Sequence, residues 1–168
     1  MRKFEFEVLG MGTNNSGYPG AFTPAIQKLI SNLVSGKVLH LFSGSSLIGD
    51  ERIDIEHPNA TCHQDIKDFI ATDMRTWDWT ILGPPYAIIR AKSKLATYGK
   101  AKAIRSDVPF RRKLKAYLSS HTDNILWLDF CAPLVPSFNR QKLWLVLPGG
   151  FHTVRVLSWL KREMKPLL

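Results

Sequence analysis

The sequence predicts an α/β protein whose sheet is mainly parallel and finishes in an antiparallel hairpin. Three observations carry this expectation. Val38–Phe42 and Trp79–Leu82 are short apolar runs, and each breaks into small or stiff residues, Ser43-Gly44-Ser45-Ser46 and Gly83-Pro84-Pro85-Tyr86. A buried parallel strand that runs out into a ligand-binding loop has this character. Segments with helical spacing alternate with such strands along most of the chain, the pattern of a parallel sheet layered with helices. Near the end, Lys142–Leu147 and Phe151–Val156 flank Pro148-Gly149-Gly150, which reads as a hairpin.

The elements follow in order. Residues 10–20 hold four glycines and a proline and read as loop. A helix should follow, with Thr23 as its cap, Pro24 in its first turn, and Ile26, Leu29, Ile30, Leu33 and Val34 on one face. Gly36 closes it. Arg52–Ile55 reads as a short strand after Val38–Phe42, and Asp65–Ala71 as a two-turn helix. Pro109–Ser119 is helical by spacing, with Phe110, Leu114, Tyr117 and Leu118 on one stripe. Asn124–Phe130 is a strand, a loop bearing Pro133 and Pro136 follows, and residues 157–165 read as a short helix. Only nine residues separate Phe42 from Arg52, whereas a parallel crossover normally takes a dozen or more. The first crossover helix is therefore shortened to about one turn or replaced by a loop.

Composition bounds the class. A chain of 168 residues, 45% hydrophobic, suits one packed domain, and no apolar run is long enough to span a bilayer. The N-terminus lacks the apolar core of a signal peptide, and Cys62 and Cys131 make no disulfide framework, so a cytoplasmic protein is expected. The net charge of +9 is localised. Arg90, Lys92, Lys94, Lys100, Lys102, Arg105, Arg111, Arg112, Lys113 and Lys115 face one acid, Asp107, over that stretch. The rest of the chain, with thirteen bases and thirteen acids, is neutral. Excess charge confined to one segment suits a phosphate-binding surface. His57, Cys62 and His63 do not have the spacing of a zinc site, and the five tryptophans read as core or sheet-face residues.

Taken together and in this order, the turn after Val38–Phe42 and the Gly83-Pro84-Pro85-Tyr86 run resemble two motifs of one family. These are motif I and the (Asp/Asn/Ser)-Pro-Pro-(Tyr/Phe) motif of S-adenosylmethionine-dependent amino-methyltransferases, which modify adenine N6, cytosine N4 or guanine N2. Tyr18-Pro19-Gly20-Ala21-Phe22-Thr23-Pro24 is similar to the aromatic-proline segment that opens a helix beside the cofactor. The resemblance implies a Rossmann-like class I methyltransferase fold of seven strands, as a single domain without a separate target-recognition domain.

It also implies roles. Phe22 and Thr23 would lie at the methionine end of S-adenosylmethionine, and His40, Phe42, Ser43, Gly44 and Ser45 would form the turn beneath it. Gly44 lets backbone approach closely because it has no Cβ. Asp54 would take the ribose hydroxyls, Asp65 would sit near the adenine amino group, and Ile66 would flank the ring. Gly83, Pro84, Pro85 and Tyr86 would form the catalytic centre, the prolines leaving carbonyls free to accept and Tyr86 stacking on an extruded base. Three positions depart from the family pattern: His40 and Ser46 in motif I, and Gly83, where the family carries a side-chain acceptor. The expected activity is methylation of an exocyclic base amino group, adenine N6 in DNA foremost. The alternatives are an RNA base, a protein or small-molecule amine, and a nucleic-acid-binding protein that has lost catalysis.

Overall fold

In this computed structural model, residues 4–12, 22–84, 107–148 and 154–163 are described. Eight strands form one sheet: β1 (Glu5–Gly12), β2 (Val38–Leu41), β3 (Glu51–Asp54), β4 (Cys62–His63), β5 (Trp77–Leu82), β6 (Thr122–Asp129), β7 (Phe138–Pro148) and β8 (Arg155–Arg162). Their order across the sheet is β1-β7-β8-β6-β5-β2-β3-β4. Every neighbouring pair is parallel except the two that involve β8, which runs antiparallel between β6 and β7. The expected mixed sheet with an antiparallel pair near its end is therefore present.

Among the described residues, three helices cover the sheet. In α1 (Pro24–Leu33) the Thr23 hydroxyl accepts from the Ile26 N–H, and Pro24 occupies the first turn, where its missing donor costs nothing. Ile26 and Ile30 of α1 bury against Val38, Trp79, Ile81, Leu126 and Leu157 on one sheet face. The other face packs under α2 (Ile66–Thr72) and α3 (Val108–His121). There Ile66, Phe69, Phe110, Leu114 and Leu118 meet Leu39, Leu41, Ile53, Leu82, Ile125 and Trp127. Of the tryptophans, Trp77, Trp79, Trp127 and Trp144 are buried core residues.

The first crossover is a loop. Phe42–Asp50 joins β2 to its parallel neighbour β3 without a helix, the second of the two outcomes expected from its length. Two features lend that loop its shape. Gly49 sits at φ +111, and a Cβ there would come within 3.2–3.3 Å of His40 and of the Val38 and Glu51 carbonyls. The Asp50 carboxylate reaches back to accept from the Val38 N–H at 2.8 Å.

Three expectations are corrected. Residues 10–12, read as loop, end strand β1, which pairs in parallel with β7 from Glu5–Lys142 to Gly12–Pro148. The charged-apolar alternation before Gly10 is the strand pattern, and β7 supplies the ladder that the glycines do not disfavour enough to prevent. Residues 157–162, read as helix, belong to β8, where pairing with strands on both sides decides the conformation. The last strand accordingly begins at Arg155 and not at Phe151, and residues 149–153 lie outside the described residues.

Candidate active site at the β2–β5 switch point

From β2 the chain steps outward to β3 and β4, then returns to place β5 on the opposite side of β2. Strand order reverses there, and in open α/β sheets the ligand crevice lies beyond the carboxyl ends of the strands at such a point, here those of β2 and β5. The two strands run in register to Leu41–Leu82. The turn at Phe42-Ser43-Gly44 and the buried Gly83-Pro84 pair therefore leave the sheet side by side. These are the two runs that the sequence singled out. Pro85 and Tyr86 lie outside the described residues.

The turn after β2 is tightly specified. Phe42 and Gly44 both take left-handed backbone, at φ 58 and φ 50. That is a costly conformation for phenylalanine, and such residues concentrate at functional turns. The Gly44 N–H donates to Asp54 Oδ2 at 3.0 Å, while Asp54 Oδ1 accepts from the Glu56 and His57 N–H groups at 3.1 and 3.0 Å. Asp54 thus ties the turn to the loop after β3. A carboxylate has about four acceptor sites, so one remains for a ligand hydroxyl among the described residues. Asn59 adds a second tie through Nδ2 to the Ser45 carbonyl at 2.9 Å. Sequence reasoning missed Asn59, since no spacing marks it.

His40 is fully buried on β2, with Phe22 edge-on to its ring at 4.9 Å. Its Nδ1 lies 3.0 Å from the Ile48 carbonyl, which only accepts, so Nδ1 carries the hydrogen and Nε2 presents a bare lone pair. Burial outweighs that hydrogen bond and lowers the pKa to about 4, so the ring is neutral. Among the described residues, His40 Nε2 and the buried Ser43 hydroxyl are both without a hydrogen-bond partner. Buried polar atoms are normally satisfied, so two orphans at one strand end indicate a place where a ligand or water belongs.

The remaining predicted residues divide. Thr23 is buried as the cap of α1, beside Phe22. Asp65 caps α2, accepting from the Lys67 N–H at 2.8 Å, and Ile66 is buried beneath that helix. His63 Nε2 engages the His57 carbonyl, and among the described residues no three His, Cys, Asp or Glu side chains cluster as a metal site.

Of the basic segment, Arg90, Lys92, Lys94, Lys100, Lys102 and Arg105 lie outside the described residues. Arg112 and Lys113 are exposed on α3. Arg111, placed in the sequence reading among the phosphate-binding residues, turns inward: its guanidinium lies 3.7 Å from the buried Asp129 carboxylate and 5.9 Å over the Trp127 ring.

A second polar cluster stands at the amino end of β5. Asp73 accepts from the Tyr117 hydroxyl at 2.6 Å and from Trp77 Nε1 at 3.2 Å, and pairs with Arg75. Burial raises the Asp73 pKa, but these three donors outweigh it and leave the group below its ordinary value. Burial, then the bond to Asp73, pushes the Tyr117 phenol up. Trp77 begins β5 at the edge remote from Gly83, so this cluster fastens α2, α3 and β5 without entering the crevice.

No protein-family model matches the chain, and no curated protein matches it.

Proposed function

We propose that the chain is an S-adenosylmethionine-dependent methyltransferase of the class I fold, acting on an exocyclic amino group of a nucleic-acid base, with adenine N6 in DNA as the favoured target. The observation that supports this most is the meeting of the Ser43-Gly44 turn and the Gly83-Pro84 pair at adjoining parallel strand ends. In the sequence they are forty residues apart and carry the two halves of the resemblance. The strand arrangement, with β8 antiparallel between β6 and β7, agrees with the seven-strand expectation, β1 being an addition at the edge.

The residues present fit the cofactor. Gly44 has no Cβ to hinder close approach, Asp54 would offer an acceptor to a ribose hydroxyl, and His40 Nε2 with Ser43 Oγ would offer buried partners for polar hydrogens. Phe22 and Thr23, both buried at the start of α1, would lie at the methionine end. When bound, S-adenosylmethionine supplies an activated methyl group. The protein's part is positioning: carbonyls of the Gly83-Pro84-Pro85 run would accept from the target amino group, and Tyr86 would stack on the base. Exposed Arg112 and Lys113, with the basic residues that precede them in sequence, would hold the phosphate backbone.

Calorimetric titration with S-adenosylmethionine tests the cofactor assignment. Binding in the micromolar range, about −8 kcal/mol, is expected, followed by transfer of a labelled methyl group to unmethylated DNA. Absence of binding overturns the cofactor assignment. A binding protein without catalysis is the second reading, favoured by one observation, the lack of any side chain at Gly83. Cofactor binding and nucleic-acid binding without methyl transfer to DNA or RNA would establish it.

A further inference from the structure

We propose that the α2–α3 side of β1, β7 and β8 is the surface through which two copies of this chain meet, as a two-fold dimer of facing strands. Of the nine large apolar side chains exposed among the described residues, five fall here: Phe4, Phe6, Val8, Leu147 and Val154. The register gathers them. Phe6 stands beside Leu143, and Val8 beside Leu145, which in turn neighbours Val156. Partners in a ladder point to the same face. Phe4 and Val154, one residue before β1 and β8, continue the alternation.

The opposite face of these strands is filled, since Leu9, Met11, Trp144, Val146 and Leu157 pack in the cluster under α1. On the α2–α3 side the core takes in Leu160 of β8 and Phe138 at the start of β7, and reaches no further. Single exposed apolar side chains are ordinary, but a contiguous set marks an interaction surface. Phe6 is 61% exposed and Val8 51%. With their neighbours they leave roughly 400 Å² of apolar surface bare.

Charge decides among the occupants. β1 and β7 carry two acids, Glu5 and Glu7, and two bases, Arg140 and Lys142. Lys142 pairs with both glutamates, at 3.2 and 2.9 Å, on the α1 side. Arg140 lies 5.3 Å over the Phe4 ring and donates to the Ala132 carbonyl at 2.9 Å. The floor thus presents no field for an anionic membrane, an acidic peptide or a basic one. A second copy needs none, because an uncharged flat face is complementary to itself, and homodimer interfaces are the more apolar kind. Chains that each carry +9 repel, and they approach at least cost through this face. Two such faces packed as sheets, with their rims, bury on the order of 1,000 Å² in all, which a specific interface requires. Glu5 and Glu7 blunt the alternative, pairing of β1 edge to edge. The face lies across β6 and β8 from the ends of β2 and β5, so it stands independently of the methyl-transfer reading.

Sedimentation velocity on the full chain, from about 1 to 100 μM, tests the proposal. The expected result is a reversible passage from 19.1 kDa to twice that mass. Added salt should hold or raise the affinity, because it screens the repulsion between copies. Phe6→Lys and Val154→Lys should each weaken association at least about tenfold, with the melting temperature unchanged. Met74→Lys, at an exposed apolar position in the α2–β5 connection, should leave association as it is. Where Phe6→Lys lowers the melting temperature, Val8→Lys takes its place.

Wild type that stays monomeric throughout overturns the proposal. So does a dimer that Phe6→Lys and Val154→Lys leave intact, one that Met74→Lys weakens equally, or one that salt dissolves. Flotation with phosphatidylcholine vesicles separates the remaining occupant. Vesicle binding that Phe6→Lys abolishes, without dimerisation, overturns the proposal and assigns the face to a lipid surface.

Discussion

His40 shows how one buried side chain couples folding to pH. Its pKa falls from 6.5 in the unfolded chain to about 4 in the folded one, because burial disfavours the imidazolium. Between those values the unfolded state binds more protons, so stability rises with pH across that window and is full above it. The shift corresponds to about 3 kcal/mol at 1.36 kcal/mol per unit. Denaturant titrations from pH 4 to pH 7 should show an increase of this order, and His40→Phe should remove most of it. The Asp73 carboxyl, held below its ordinary value, adds a separate dependence that acts only at lower pH, as its own folded pKa is crossed. Asp54 carries a different load at the same scale. Asp54→Ala leaves the N–H groups of Gly44, Glu56 and His57 without their acceptor, at a cost of about 2–4 kcal/mol. On the methyl-transfer reading proposed above, affinity for S-adenosylmethionine falls with it, measurable by calorimetry on the folded fraction.

At the scale of elements, α3 is fixed by both its ends to different parts of the sheet. Near its start, Arg111 reaches Asp129 at the carboxyl end of β6, and further along Tyr117 reaches Asp73 just before β5. Tyr117→Phe should cost about 1–3 kcal/mol in thermal or denaturant unfolding, since Asp73 stays buried with one donor fewer. It should leave binding at the crevice unchanged. The elements differ in how plainly the sequence announces them. The start of α1 is legible because the Thr23 cap and Pro24 act within one turn. The central strands β2 and β5 are legible because both faces are covered, so their apolar runs are unbroken. β8 is not: Leu157 and Leu160 fall three apart, a helical spacing, yet they face opposite sides of a strand that has neighbours on both edges. β1 is hidden for a related reason, since its partner β7 lies at the far end of the chain. At the site, the two turns could be read from residue types, and the Asp54 bonds and the Arg111–Asp129 pair could not. Those depend on which loops and strand ends the fold brings together.

At the scale of the whole molecule, the net charge of +9 comes from the 90–115 segment, of which Arg112 and Lys113 are exposed on α3. If this segment binds nucleic acid, Arg112→Gln with Lys113→Gln should reduce the slope of log affinity against log salt by up to about 1.8 for duplex DNA. Arg111→Gln should change the slope little, because its charge is already matched by Asp129. An Arg111 effect equal to that of Arg112 would place its guanidinium on phosphate instead. No helix among the described residues is long and apolar enough to cross a membrane.

The position of β8 has a consequence for how the chain is made. Synthesis delivers β1 first and β7 long afterwards, yet neither can join the body of the sheet by itself, because β7 touches β6 only through β8. Until β8 leaves the ribosome, the nascent protein holds two separate pieces: β2 to β6, and a β1–β7 pair with both of its outer edges open. Exposed Phe6 and Val8 lie on that pair. A stalled or clipped product lacking β8 is thus an aggregation hazard and not a slightly less stable version of the same fold.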